Sequence, residues 1–159
     1  MFESVHFLNW ELIVDKQATY NAYANVQHGG SHSCSCEDCK EYIKRIDSIF
    51  PDNVKKLLSK LGIDYHKDAE VTHIISDNNE NYCHGWFHFI GEFKGASCAL
   101  PVENSGYNLQ LTDVANNFKI GFHISDSLAL FKSTYPLVQV EFSTLIHHWS
   151  EHPPRPRLQ

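Results

Sequence analysis

The sequence predicts an α+β fold, a helical hairpin packed on an antiparallel sheet of about five strands. Three observations carry that expectation. Residues 35–61 repeat apolar side chains at helical spacing, the chain beyond Glu70 changes to alternation, and runs such as "DNNEN" separate the alternating stretches as hairpin turns do. At 159 residues with 42% hydrophobic side chains, one domain with a sizeable core is expected over residues 1–150, followed by a loose proline-rich tail over 151–159.

Each element follows from its residues. Leu8, Trp10, Leu12 and Val14 alternate with Phe7, Asn9, Glu11 and Ile13, which reads as a first strand. Asp15 is placed to cap a short helix through "KQATYNAYANV", and "QHGGSHS" reads as a loop. Ser35 followed by Asp38 fits a capping box. Behind it, Tyr42, Ile43, Ile46, Ile49 and Phe50 form one helical stripe. Pro51 closes that helix and opens the next, in which Val54, Leu57, Leu58 and Leu61 form a stripe that Gly62 ends.

"EVTHIIS" and "NYCHGWFHFIGEF" flank the "DNNEN" turn as paired strands. "NFKIGFHIS" places Phe118, Ile120, Phe122 and Ile124 inward, with Lys119, Gly121 and His123 outward. "PLVQVEFSTLIHHW" places Val138, Val140, Phe142 and Ile146 on one face. Such strands suit a sheet with one face under helices.

Charge and cysteine usage narrow the function. The net charge of −6, with "PRPR" as the sole basic cluster, argues against a nucleic-acid partner. The N-terminus lacks a basic n-region, and Asn9 and Glu11 interrupt its apolar residues, so neither a signal peptide nor a membrane span is expected. Five cysteines without secretion point to reduced thiols or metal ligands in the cytoplasm.

Three of those cysteines fall in "HGGSHSCSCEDC". Cys36 and Cys39 are three apart, on one face of the first helical turn, and Cys34 lies where irregular backbone can fold its sulfur back. Zinc takes four such ligands in a tetrahedron, and His32 or His28 on the glycine-rich loop would supply the fourth. Cys83, Cys98, His84 and His88 are more distant candidates. The site expected is therefore Cys34, Cys36, Cys39 and His32 around zinc. The competing reading makes Cys39 a small core residue and Cys34 and Cys36 surface thiols. Redox chemistry ranks third, because Glu37 and Asp38 oppose thiolate formation at the helix start.

"YCHGWFHF" aligns Tyr82, His84, Trp86 and His88 on one strand face. Histidines four apart on a strand stand roughly 13 Å apart, too far for one metal. An acid–base role for His88 or His84 with Glu70, Glu92 or Glu141 is the alternative to polar rings hydrogen-bonded over a sheet.

The order "CSCEDCKEYIKRIDSIFP", "LLSKLGIDYHKDAEV", "GWFHFIGEF" and "PLVQVEFSTLIHHW" resembles a set of small bacterial proteins of unknown function. In those, a C-x-C-x-x-C run opens a helix, followed by an LGID…K…E segment and a G-W-[FY]-H-F-x-G strand. The resemblance spans most of residues 5–149. Cys34, Cys36, Cys39, Lys67, Glu70, Trp86 and His88 match the pattern, whereas His148-Trp149 stands where the others carry "PW". It implies a bacterial cytosolic protein and transfers no catalytic role.

The expectation is thus a non-enzymatic bacterial module, carrying a structural zinc and binding an unidentified protein or small-molecule partner. An acid–base enzyme using His88 with Glu70 or Glu141 is the first alternative. An immunity-type inhibitor of a bacterial toxin is the second, from small size and acidic balance.

Overall fold

The computed structural model describes residues 1–104 and 106–146. The tail expected over 151–159 and the His148-Trp149 corner lie outside them. The α+β expectation holds, with a larger sheet than expected: seven strands in place of about five, and a separate two-stranded ribbon.

The first difference lies at the N-terminus. Residues 8–14 are not one strand. β1 (Glu3–Phe7) and β2 (Trp10–Val14) form a hairpin that turns at Leu8, whose φ of 50° is in the left-handed region. A tight hairpin turn demands such a conformation. Leu8 is exposed at the turn and only appeared to continue the apolar alternation. Trp10, Leu12 and Val14 are buried as the alternation required.

Asp15 caps α1 (Lys16–Ala24), accepting the Ala18 N–H at 3.0 Å. The "QHGGSHS" stretch contains a single helical turn, α2 (Gly30–Ser33), where only loop was expected. The hairpin of α3 (Glu37–Ile49) and α4 (Asp52–Lys60) is as expected, broken at Phe50-Pro51 and ended by Gly62 at φ +77°. Its cap differs. Cys36, not Ser35, is the N-cap of α3, and its sulfur accepts the Cys39 N–H at 3.4 Å.

The remaining strands are β3 (Glu70–Ile75), β4 (Asn81–Lys94), β5 (Ala99–Pro101), β6 (Tyr107–Leu109), β7 (Thr112–Ala115), β8 (Phe118–Ile124) and β9 (Leu137–Leu145). The large sheet runs β1-β2-β4-β9-β8-β7, with β3 also on β4, and every pairing is antiparallel. β5 and β6 make the ribbon.

β4 organises the sheet. β9 covers one edge from Tyr82 to Ile90. The other edge is divided, with β3 along Asn81–Trp86 and β2 along Gly91–Lys94. Between them α1 completes the ladder. The Tyr23 hydroxyl donates to His88 C=O at 2.8 Å and accepts its N–H at 3.0 Å, Thr19 Oγ1 accepts the Ile90 N–H at 3.0 Å, and Asp15 N donates to Ile90 C=O at 2.9 Å. Buried backbone groups need such partners. At Gly91 a Cβ would lie 1.9 Å from Ile13 C=O, so only glycine admits β2 there.

One face of the sheet meets the helices. Tyr42, Ile46 and Phe50 of the α3 stripe and Val54, Leu57, Leu58 and Leu61 of the α4 stripe pack with Phe87, Phe89, Phe118, Ile120, Phe122, Val138, Val140 and Phe142. Phe50 lies 5.0 Å from Phe142, 5.7 Å from Phe118 and 5.8 Å from Phe87 between ring centroids. The opposite face is not simply solvated. His88, His123, Gln139 and Glu141 are buried there. Three sequence expectations for β8 reverse accordingly: Gly121 and His123 are enclosed, and Ile124, at the strand end, is exposed. No helix among the described residues is long and apolar enough to cross a membrane.

Candidate functional site

The cysteine loop is held by the segment before β3. Asp68 is fully buried; its carboxylate accepts the Ser31 N–H at 3.0 Å and the Ser31 hydroxyl at 2.5 Å, while Gly30 N donates to Asp68 C=O at 2.7 Å. Burial raises the Asp68 pKa, and the Ser31 bonds oppose that rise. Gly29 and Gly30 are required by close approach: a Cβ at Gly30 would stand 2.3 Å from Ala69 C=O. The glycine pair thus fastens α2 against residues 67–69, and Ser31 C=O receives the Cys34 N–H at 3.3 Å.

With the loop fixed, the sulfurs of Cys34, Cys36 and Cys39 all lie within 4.8 Å of one another. Cys34 Sγ and Cys36 Sγ are 3.1 Å apart, and all three thiols are free. Cys34 and Cys36 are exposed, whereas Cys39 is 4% exposed at the first turn of α3. The sulfurs are therefore unequal. The Cys36 backbone N–H, then the Cys36 and Cys39 thiols, lower the Cys34 pKa, opposed more weakly by burial and then by Glu70. Burial, then the neighbouring thiols, raise that of Cys39.

Three thiols in this arrangement can hold a metal ion. Around tetrahedral zinc, with bonds of about 2.3 Å, neighbouring sulfurs stand roughly 3.8 Å apart. The observed cluster needs only local side-chain adjustment to reach that.

The structure sorts the other candidate ligands. His32 is on α2 with its ring stacked on His28 at 4.9 Å, outside the group of ligand atoms within 4.8 Å of one another. Cys83 is buried in β4 on the helix side of the sheet, and Cys98 is buried on the other side against Gly121. Among the described residues, no further group of three or more His, Cys, Asp or Glu ligand atoms gathers so closely.

His84 and His88 belong to a different constellation. Glu141, 1% exposed, receives His84 Nε2 at 2.6 Å on one oxygen, and His123 Nε2 at 3.0 Å and Gln139 Nε2 at 2.6 Å on the other. Gln139 Oε1 meets His88 Nε2 at 3.2 Å. An ionised carboxylate only accepts, so both His84 and His123 carry their proton on Nε2. Gln139 gives its N–H to Glu141, so its oxygen accepts from His88 Nε2–H. Burial opposes ionisation of Glu141, but the bonds from His123 and His84 outweigh it and hold the carboxyl at about 2. Burial lowers His88 to about 4.

This network rearranges the acid–base grouping expected from sequence. His88 reaches Glu141 only through Gln139, and the residue is 1% exposed. Glu70 and Glu141 face opposite sides of Trp86 across two strand spacings, about 10 Å. The partner of Glu141 open to solvent is His84, with 20% of its side chain exposed. His84 pairs in register with Ser143, which lines an open hollow of about 540 Å³ with Tyr82, Asp113, Asn116 and Lys119 among its walls. Sequence reading missed His123, because its alternation marked it as outward. The available signal was the matching polar pair Gln139 and Glu141 on β9.

Lys67 ties two elements of this fold together. Its Nζ donates to Tyr23 C=O at 2.8 Å, at the C-terminal end of α1. Trp86 likewise secures a covering loop, donating from Nε1 to Ser127 C=O at 3.0 Å.

Comparison of the chain with protein-family models, curated proteins and solved structures finds no match.

Proposed function

We propose that this protein is a metal-binding module in which Cys34, Cys36 and Cys39 hold zinc, His32 is the closest further ligand along the chain, and the ordered loop presents a surface to a protein or small-molecule partner. The observation that carries the reading is the convergence of three free sulfurs within 4.8 Å. Thiolate ligation suits a reducing compartment, and with the sequence resemblance it supports a bacterial cytoplasmic setting. The metal joins α2 to the start of α3, so its binding free energy is also folding free energy.

Elemental analysis of untagged protein purified under reducing conditions without chelator tests this. About one zinc per chain is expected. Cys36→Ser should release it and lower stability by several kcal/mol. A variant that melts like its parent and keeps the same metal content removes the reading.

A second reading, an acid–base enzyme, is favoured by one observation: the buried Glu141 orients the part-exposed His84, whose strand partner Ser143 lines a polar hollow. With Nε2–H committed to Glu141, Nδ1 is the ring atom left to exchange a proton with a substrate. Diethylpyrocarbonate labelling followed by peptide mapping tests for that activated imidazole. His84 should react faster than His66, whose side chain is 49% exposed. If His66 reacts first, exposure alone sets the order of reaction and this reading is removed.

A further inference from the structure

The three sulfurs differ in a way that holding a metal does not require. Cys34 and Cys36 are exposed and their sulfurs are 3.1 Å apart, while Cys39 is buried. A disulfide needs about 2.05 Å, roughly 1 Å closer. Cys34 and Cys36 both have extended backbone, with ψ of 134° and 154°, and α3 starts only at Glu37. Closing that gap therefore draws on chain outside the helix. Joining either residue to Cys39 would pull on a sulfur packed under the first helical turn.

From this we infer that Cys34 and Cys36 are a modification site for hydroperoxides, closing a reversible disulfide that expels the metal. In the first step the Cys34 thiolate attacks one peroxide oxygen. The O–O bond breaks, an S–O bond forms, and the departing alkoxide or hydroxide takes a proton to leave as alcohol or water. The sulfur is now a sulfenic acid. In the second step the Cys36 thiolate attacks the Cys34 sulfur, the S–S bond forms, and the S–O bond breaks. The hydroxide takes up a proton and leaves as water. Two thiols are oxidised and one peroxide is reduced. A metal on the cluster then retains only Cys39 of its three sulfur ligands. The disulfide stands independently of the metal reading, while metal release rests on it.

Hydrogen peroxide, added in equimolar amount to the full chain with and without zinc, is the test. Peptide mapping should find Cys34 joined to Cys36 and Cys39 as the free thiol, with dithiothreitol restoring the parent mass. A colorimetric chelator should record zinc release in step with the cross-link. Cys39→Ala should still form the cross-link. Cys36→Ser should stop at a Cys34 sulfenic acid that dimedone captures. A cross-link to Cys39, a cross-link between chains, or over-oxidised Cys34 without any cross-link in the parent overturns the inference. So does zinc that stays bound to the cross-linked chain. A chain that binds no zinc yet forms the Cys34–Cys36 bond would sustain the modification site and remove the metal reading.

Discussion

Glu141 and His88 show how a single side chain becomes a stability switch when its surroundings favour one protonation state. Glu141 is held at about 2 against an ordinary 4.5, so it binds fewer protons folded than unfolded. Its contribution is present above about pH 4.5 and is lost as pH falls towards 2. His88, lowered to about 4 from 6.5, also binds fewer protons in the folded state; His73, lowered to about 4 by burial, does the same. Their effect has the same sign, with stability falling as pH drops from 6.5 towards 4. For Glu141 and His88 the expected loss is on the order of 3 kcal/mol each. Denaturant unfolding at successive pH values should show a decline that begins near 6.5 and continues below 4.5. Constant stability from pH 7 to 4 would mean that His88 is hydrated in the folded protein.

The cysteines show the same dependence on setting. Cys36, which the sequence makes a ligand or a surface thiol, also caps α3, while Cys39 follows the buried stripe that its spacing with Tyr42 and Ile46 implies. Three thiols in one short run were legible from sequence. Their mutual distance was not, because it depends on Asp68, a residue distant in sequence that fastens the loop.

Among the elements, α1 has the most unexpected role. Its sequence shows only a short capped helix, but its side chains replace missing strand partners along β4. Tyr23→Phe removes the group that serves both His88 N–H and His88 C=O, and should destabilise by about 1–3 kcal/mol. The His88 amide should exchange with solvent faster by a matching factor in native-state hydrogen exchange. Thr19→Val, similar in shape, should act the same way on the Ile90 amide. Unchanged exchange at both amides would mean that another partner completes this edge. By contrast, α3 and α4 were readable almost to the residue, since a stripe every three or four positions has one good solution as a helix. The β1–β2 turn was not, because Leu8 is a residue rarely found at positive φ.

At the level of the whole molecule, β4 gathers the fold: it pairs with three strands, receives α1, and carries core aromatics on one side and two members of the histidine network on the other. Fold class, the helical hairpin, the inward residues of most strands and the thiol cluster all follow from periodicity and spacing along the chain. These are local properties, written wherever a helix or strand must hide one side. The shared edge of β4, the covered second face and the union of His84, His123, Gln139 and Glu141 depend on which strands become neighbours. That choice comes from packing between segments far apart in sequence. Alternation told that Gln139 and Glu141 share a face, and the assembled sheet alone showed that this face is closed and that two histidines meet there.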